Sequence, residues 1–212
     1  PYFSRDIAEF WRRWHISLST WFRDYLYIPL GGSRGGNWMK VRNTFIIFIV
    51  SGFWHGANWT FIVWGALNAL YFLPIFMTHK NRKNLDVVAQ GKYLPSIKEL
   101  LLMLKTFSLT VFAWIFFRVE NITYAIEYIS EIFSPSLFSM PGIKELKKYS
   151  TLFLLITFFT LIEWIGRTRQ HPLEKFGLNQ HKIFRWSFYS FLIFLIGVWM
   201  VSKESPFIYF QF

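Results

Sequence analysis

The apolar segment 44–77 places the strongest constraint on the fold, because its main interruption is the stretch 55–58, which holds a histidine, a glycine and an asparagine. It is long enough for two short membrane crossings, or for one crossing and a re-entrant segment, since a full crossing takes about 20 residues. The interruption contains His55, an ionisable residue that is costly at membrane depth. Irregular backbone at that depth is tolerated only where it is buried in protein or lines a cavity. The segment therefore predicts a membrane protein with a cavity at His55.

The rest of the chain has the composition of a helical membrane protein. It is 53% hydrophobic and 22% aromatic, which suits membrane helices with aromatic belts at both interfaces. Lysine and arginine concentrate in the connections between apolar runs, which favours contact with anionic lipid headgroups over binding of nucleic acid. We predict an all-α, multi-pass membrane fold in which 1–212 is the C-terminal part of one membrane domain. Its predicted membrane segments are 44–77, 99–117, 149–165 and 184–202.

The charge of the connections predicts the orientation in the membrane, and the start of the chain bears on the length of the protein. If 44–77 crosses twice, the basic stretches 1–43 and 78–98 share a side, and the positive-inside rule places that side in the cytoplasm. If it crosses once, the assignment changes. The chain begins at Pro1 without a visible signal peptide, and we expect it to be part of a longer protein.

Residues 1–30 show apolar positions at three- and four-residue intervals, with arginines and acids between them. The pattern predicts one amphipathic helix, or two short ones, starting near Ser4 and ending at Pro29. Such a segment lies in the membrane interface or packs on the protein's own core, and the two are compatible. The glycine-rich stretch 30–43 is predicted to be a basic loop, and 122–133 a short amphipathic helix.

Few chemistries fit the residues. The chain has no cysteine, no Gly-x-Ser-x-Gly motif and no histidine spacing typical of zinc, so we expect no metal site. What remains is His55 as a general base that takes the proton of a hydroxyl group as the oxygen attacks an acyl thioester. Asn58, or backbone N–H groups around Gly56, are the candidates for binding the oxyanion.

Two motifs resemble the signatures of the bacterial membrane-bound O-acyltransferases, in particular the group of the alginate O-acetyltransferase membrane subunit. The first is FWRRWHISLSTWFRDYLYIPLGG at 10–32, and the second is SGFWHGANW at 51–59. Together they cover roughly the first third of the chain. The final FIYFQF is similar to ends seen in this group, more weakly.

The resemblance implies a helical protein of the bacterial inner membrane with a central tunnel. It implies an acyl thioester donor such as acetyl-CoA, used as substrate and not as a bound cofactor, on the cytoplasmic side. On the outer side it implies an acceptor or a secreted relay protein of the SGNH-esterase type. His55 corresponds to the family's invariant histidine and His15 to a second, often retained one, for which catalytic support and a structural role are equally open. The expected substrate-binding residues are Arg12, Trp14, Trp54, Asn58 and Trp59.

The leading functional hypothesis is O-acetylation of an exported cell-surface polysaccharide. D-alanyl or other acyl transfer to a cell-wall polymer stays open, as does a transporter or scaffold without covalent chemistry. A third alternative is a membrane anchor, in which His55 would only form a hydrogen bond with a neighbouring carbonyl. A family member carries further spans before the first motif, so activity is expected of the longer protein.

Overall fold

A computed structural model describes residues 1–78, 82–139, 142–169, 171, 173–174 and 181–199. These residues form helices and turns, with no strand in the described part. The all-α prediction is therefore confirmed. The helices are α1 (Ile7–Arg13), α2 (Ile16–Phe22), α3 (Gly36–His55), α4 (Trp59–Met77), α5 (Ile97–Arg118), α6 (Ile122–Ile132), α7 (Ile143–Ile165) and α8 (Lys182–Trp199).

The chain divides into two compact units, Pro1–Ser139 and Met140–Phe212. Two helices of the first unit, α4 and α5, are long and apolar enough to cross a membrane. In the second unit, the predicted segment 149–165 coincides with the apolar part of α7. The predicted segment 184–202 overlaps α8, but its last three residues and the FIYFQF tail lie outside the described residues.

Two short helices and a π-helical turn, Arg23–Tyr27, form the N-terminal segment. The prediction that the first helix starts near Ser4 was wrong, because Asp6 is the N-cap and its Oδ1 accepts from the Glu9 N–H at 2.7 Å. The Ser4 hydroxyl instead donates to the Pro1 carbonyl at 2.5 Å. A carboxylate at the N-cap satisfies a free helix N–H and complements the helix dipole, which favours Asp6 over the neutral serine.

Helices α3 and α4 form a hairpin whose break falls at 56–58, inside the predicted interruption. Its backbones approach closely, since a Cβ on Gly52 or Gly65 would overlap the carbonyl of Phe61 or Phe48, respectively. Small residues at such crossings are typical of helix packing in membranes.

One outer end of this hairpin differs from prediction and the other agrees with it. Helix α3 begins at Gly36, so half of the predicted loop 30–43 is helical. The Asn43 amide explains this, because it donates to the carbonyls of Leu30 and Gly32 and folds the remaining turn onto the helix. Helix α4 passes through Pro74 and ends at Met77, which is where the predicted membrane segment 44–77 ends. A proline removes one helical hydrogen bond but does not force the helix to stop.

Helix α5 packs on this hairpin and begins with a capping box between Ser96 and Glu99. Helix α6 follows α5, and its end at Ile132 lies one residue before the predicted end at 133. The core joining α4, α5 and α6 contains Trp64, Ala113, Phe116 and Ala125. This core fixes the end of α5 beside the α3–α4 break, which is where His55 lies.

Candidate active site at His55

His55 is the last residue of α3 and is only 5% exposed. Gly56 ends the helix directly after it, and a Cβ there would come within 2.6 Å of the Phe61 ring. The glycine therefore lets α4 turn back tightly against the imidazole. The sequence placed His55 at the break, and the hairpin encloses it there.

Four aromatic rings surround the imidazole, and we call them the aromatic enclosure. The ring centroids of Trp54 and Phe117 lie 4.9 Å from that of His55, Trp64 lies at 5.3 Å and Phe61 at 6.3 Å. They come from α3, α4 and α5, so three helices must pack correctly to form the enclosure. Rings on several sides reduce access of water, which strengthens electrostatic interactions within the enclosure.

His15 lies between α1 and α2 and is exposed. Its backbone has φ 45°, a left-handed conformation uncommon for a residue other than glycine. His55 packs against Phe117 of α5, and His15 is linked to the same helix through Trp14. Trp14 supports this placement, because it contacts His15 at 5.3 Å and Trp114 of α5 at 5.6 Å. The structure thus brings the two candidate catalytic histidines into one region.

The remaining predicted residues are distributed around this region. Trp54 contacts His55 and is 55% exposed, and Trp59 is 73% exposed at the start of α4. Trp14 is half-buried, whereas Arg12 is exposed and donates to the Asn84 carbonyl at 2.9 Å.

The candidate oxyanion donors are engaged within the chain. Asn58 is the N-cap of α4, where its Oδ1 accepts from the Thr60 N–H at 3.1 Å and its Nδ2 donates to the Glu120 carbonyl at 2.6 Å. The Gly56 N–H donates to the Phe53 carbonyl at 3.2 Å. In this conformation both groups stabilise the break, and the oxyanion role stays a prediction.

Sequence reasoning missed Trp11, which links α1 to the enclosure. Its ring packs on Trp64 at 6.0 Å and on Phe48 at 5.0 Å, and its Nε1 donates to the Asn68 Oδ1 at 3.3 Å. The Asn68 amide in turn donates to the Trp64 carbonyl at 2.9 Å. The polar Asn68 within an apolar helix was the available signal for this link.

It also missed an ionic cluster of Arg5, Glu9, Asp86 and Glu99. The Arg5 guanidinium contacts Glu9 at 3.2 Å, Asp86 at 3.0 Å and Glu99 at 3.5 Å. The hydrogen bond from Arg5 holds the pKa of Asp86 below its usual value. The four-residue spacing of Arg5 and Glu9 was visible in the sequence, but Asp86 and Glu99 join only through the tertiary fold. The cluster attaches the 82–96 connection to α1.

Among the described residues, no three His, Asp or Glu side chains are grouped so that they could hold a metal ion. His55 and His15 stay the predicted catalytic residues of this region.

Comparison with known proteins identifies relatives of this chain. The profile of the membrane-bound O-acyltransferase family matches residues 2–98, which contain both histidines. The chain is 37% identical to the probable alginate O-acetylase AlgI of Pseudomonas aeruginosa, over 86% of this chain and 34% of that protein. It is 34% identical to the AlgI of Pseudomonas putida, over 100% of this chain and 45% of that protein.

A peptidoglycan O-acetyltransferase of Helicobacter pylori is 40% identical over 61% of this chain and 23% of that protein. The chain thus spans less than half the length of each of these three relatives. From the profile match and these identities, the chain belongs to the membrane-bound O-acyltransferase family.

Proposed function

We propose that the protein carrying this chain is an O-acetyltransferase that acts on hydroxyl groups of an exported cell-surface polysaccharide. The observation that carries the proposal is the position of His55, buried in an aromatic enclosure at the break between α3 and α4. Relatives named as acetyl-transferring enzymes of alginate and peptidoglycan support the acetyl group and the polymer class.

The chemistry uses His55 as general base and then as general acid. A neutral imidazole nitrogen takes the proton of the acceptor hydroxyl while its oxygen attacks the thioester carbonyl, and a new C–O bond forms. The C–S bond then breaks, and the imidazolium returns the proton to the leaving thiolate. The products are an acetyl ester and a free thiol, and His55 is neutral again.

The donor in this proposal is acetyl-CoA or another acyl thioester, used as substrate. The location is the bacterial inner membrane, with several crossings. A secreted relay protein of the SGNH-esterase type is the proposed partner, because the acceptor polymer lies outside the membrane and the thioester inside the cell. The two apolar helices α4 and α5 support the membrane location.

The first test is His55→Gln in the chromosomal gene, with O-acetyl content of the surface polymer as the readout. Loss of a general base lowers the rate by about 10²- to 10⁴-fold, so acetylation should fall below detection. His171→Gln is the matched control, since His171 is an exposed histidine in the other unit and should leave acetylation unchanged. Normal acetylation by His55→Gln at normal protein level would refute the role.

A test of His15 needs a substitution that removes the imidazole but keeps the left-handed backbone conformation. Asparagine tolerates the left-handed conformation, so His15→Asn keeps the turn between α1 and α2 while it removes the imidazole. If His15 supports catalysis, this variant loses activity at unchanged thermal stability. Full activity would restrict His15 to the turn.

A transporter is distinguished with the purified complete protein and acetyl-CoA labelled in the acetyl group. Transfer of label to a hydroxyl acceptor supports the enzyme. Movement of the intact thioester across a vesicle membrane without loss of acetyl would support the transporter.

A further inference from the structure

A cavity of about 390 Å³ lies between α1, α2, the π-helical turn and the α3–α4 hairpin. One side of it is a row of aromatic rings, and arginines from three different elements line it as well. The cavity is separate from the aromatic enclosure, because His55 is not among its lining residues. Trp11 is shared between them, since it lines the cavity and packs on Trp64 beside His55.

The charge of the cavity has one sign. Its arginines are Arg12 of α1, Arg23 of the π-helical turn and Arg82 of the connection after α4, and none of its described lining residues is acidic. The Asn84 carbonyl accepts from Arg12 and fixes its guanidinium. Arg23 also bonds the neighbouring Asp24 at 2.7 Å, and Arg12 and Arg82 are the other two cations that line the cavity. An occupant must therefore carry an anionic group, and phosphate matches the planar guanidinium well.

The aromatic side is continuous. Ring centroids follow one another from Trp11 to Phe48 at 5.0 Å, from Phe48 to Phe72 at 5.5 Å and from Phe72 to Phe76 at 5.7 Å. The row thus runs from α1 across α3 to the C-terminal end of α4. Such a surface buries a hydrocarbon chain favourably. A peptide chain would be less favourable, because its amide groups would lose hydrogen bonds to water there.

The surroundings are those of a membrane interface. Trp21 and Tyr25, next to Arg23 in sequence, contact each other at 5.3 Å and are 53% and 68% exposed. Exposed Trp and Tyr beside Arg are typical of the headgroup region of a bilayer. Lipid is the amphiphile present there at the highest concentration.

We propose that this cavity binds an anionic phospholipid. Its phosphate lies at the guanidinium groups of Arg12 and Arg82, and the start of one acyl chain follows the rings from Trp11 to Phe76. The bound lipid braces Trp11, and through Trp64 it supports the enclosure around His55. This assignment depends on the cavity alone and not on the proposed acetyl transfer.

The test uses the complete protein in nanodiscs of phosphatidylcholine with a minor fraction of phosphatidylglycerol. After a mild detergent wash, native mass spectrometry counts the lipids retained per protein. The natural protein should retain phosphatidylglycerol in preference to phosphatidylcholine. In Arg12→Gln/Arg82→Gln we expect retention of phosphatidylglycerol to fall about tenfold or more, because charge-assisted hydrogen bonds are lost.

Arg34→Gln is the matched control, since Arg34 is an exposed arginine on the glycine-rich turn that does not line the cavity. It should retain phosphatidylglycerol like the natural protein. Equal retention of the two lipids by the natural protein would overturn the proposal, as would an equal loss in Arg34→Gln. Displacement of the retained lipid by acetyl-CoA, one molecule for one, would also overturn it and assign the cavity to the acyl donor.

Discussion

The ionic cluster at the start of α1 and the aromatic enclosure around His55 are both buried polar regions of the same unit, but their neighbours differ. Glu9, Arg5 and His55 are exposed to 1%, 6% and 5%. Arg5 and Glu9 bond each other, and the guanidinium reaches two further carboxylates. His55 has rings on several sides. Burial alone therefore does not distinguish a structural group from a candidate catalytic one. The neighbouring side chains differ: ion-pair partners stabilise the fold at Arg5 and Glu9, whereas aromatic rings enclose His55.

The largest effect on stability is expected from breaking the ionic cluster. Arg5→Met leaves the buried Glu9 with Arg13 as its remaining cation and removes the bonds to Asp86 and Glu99. Removal of one partner of a buried pair costs up to about 3–5 kcal/mol. Thermal unfolding of the purified protein in detergent measures it. Arg23→Met is the control, since Arg23 and Asp24 form an exposed pair worth about 0–1 kcal/mol. Equal losses in the two variants would contradict a structural role for the cluster.

The next effect tests how the enclosure is assembled. In Gly52→Ala the new Cβ overlaps the Phe61 carbonyl, so α3 and α4 must separate at a cost of about 1–3 kcal/mol. We expect a lower melting temperature together with lower acetylation, because His55 lies one turn further along α3. Gly197→Ala is the control, since its Cβ would meet nothing within 4 Å. A Gly52→Ala protein of normal stability would show that the helices do not pack this closely.

Two substitutions of Asn58 separate its role as a helix cap from a role in binding the oxyanion. Asn58→Ala removes the N-cap of α4 and the bond to Glu120, which costs about 0.5–2 kcal/mol in thermal unfolding. Asn58→Ser retains a cap acceptor but lacks the amide donor, so its stability should stay near normal. If Asn58→Ser also keeps its acetylation, the amide does not bind the oxyanion. A stable Asn58→Ser protein without activity would instead support that role.

The smallest effect concerns the exposed edge of the ionic cluster. Because Arg5 holds the pKa of Asp86 below its usual value of about 3.9, the pair stabilises the fold above that pH and loses this contribution as pH falls further. Asp86→Asn should cost about 0–1 kcal/mol at neutral pH and flatten the acid side of the stability profile.

Melting temperatures between about pH 3 and pH 7 measure this, with Glu9 and Glu99 as the other acids that face Arg5. The same substitution in the Arg5→Met background should change nothing further. A full pH effect there would show that Arg5 is not the cause.

Local features of the fold were predictable because they depend on neighbours in sequence. The period of apolar residues predicted α6 to within one residue, and the polar interruption predicted the break after His55. The helix start at Asp6 and the extension of α3 back to Gly36 were missed, because caps and turns depend on individual hydrogen bonds. The end of α4 agrees with the predicted end of the apolar segment at 77, since a helix can stay intact across a proline.

For the candidate site, residue types and their spacing predicted the chemistry, whereas the arrangement of the side chains depends on tertiary packing. Two motifs and a histidine in an apolar segment were enough to indicate an acyl-transfer family, because residue type and spacing are written in the chain. The sequence did not reveal that Trp14 links His15 to α5 or that Phe117 and Trp64 close around the His55 imidazole. Nor did it reveal that Arg5 contacts Asp86 and Glu99. These contacts join residues far apart in sequence, and only the packing of α1 and α5 against the hairpin brings them together.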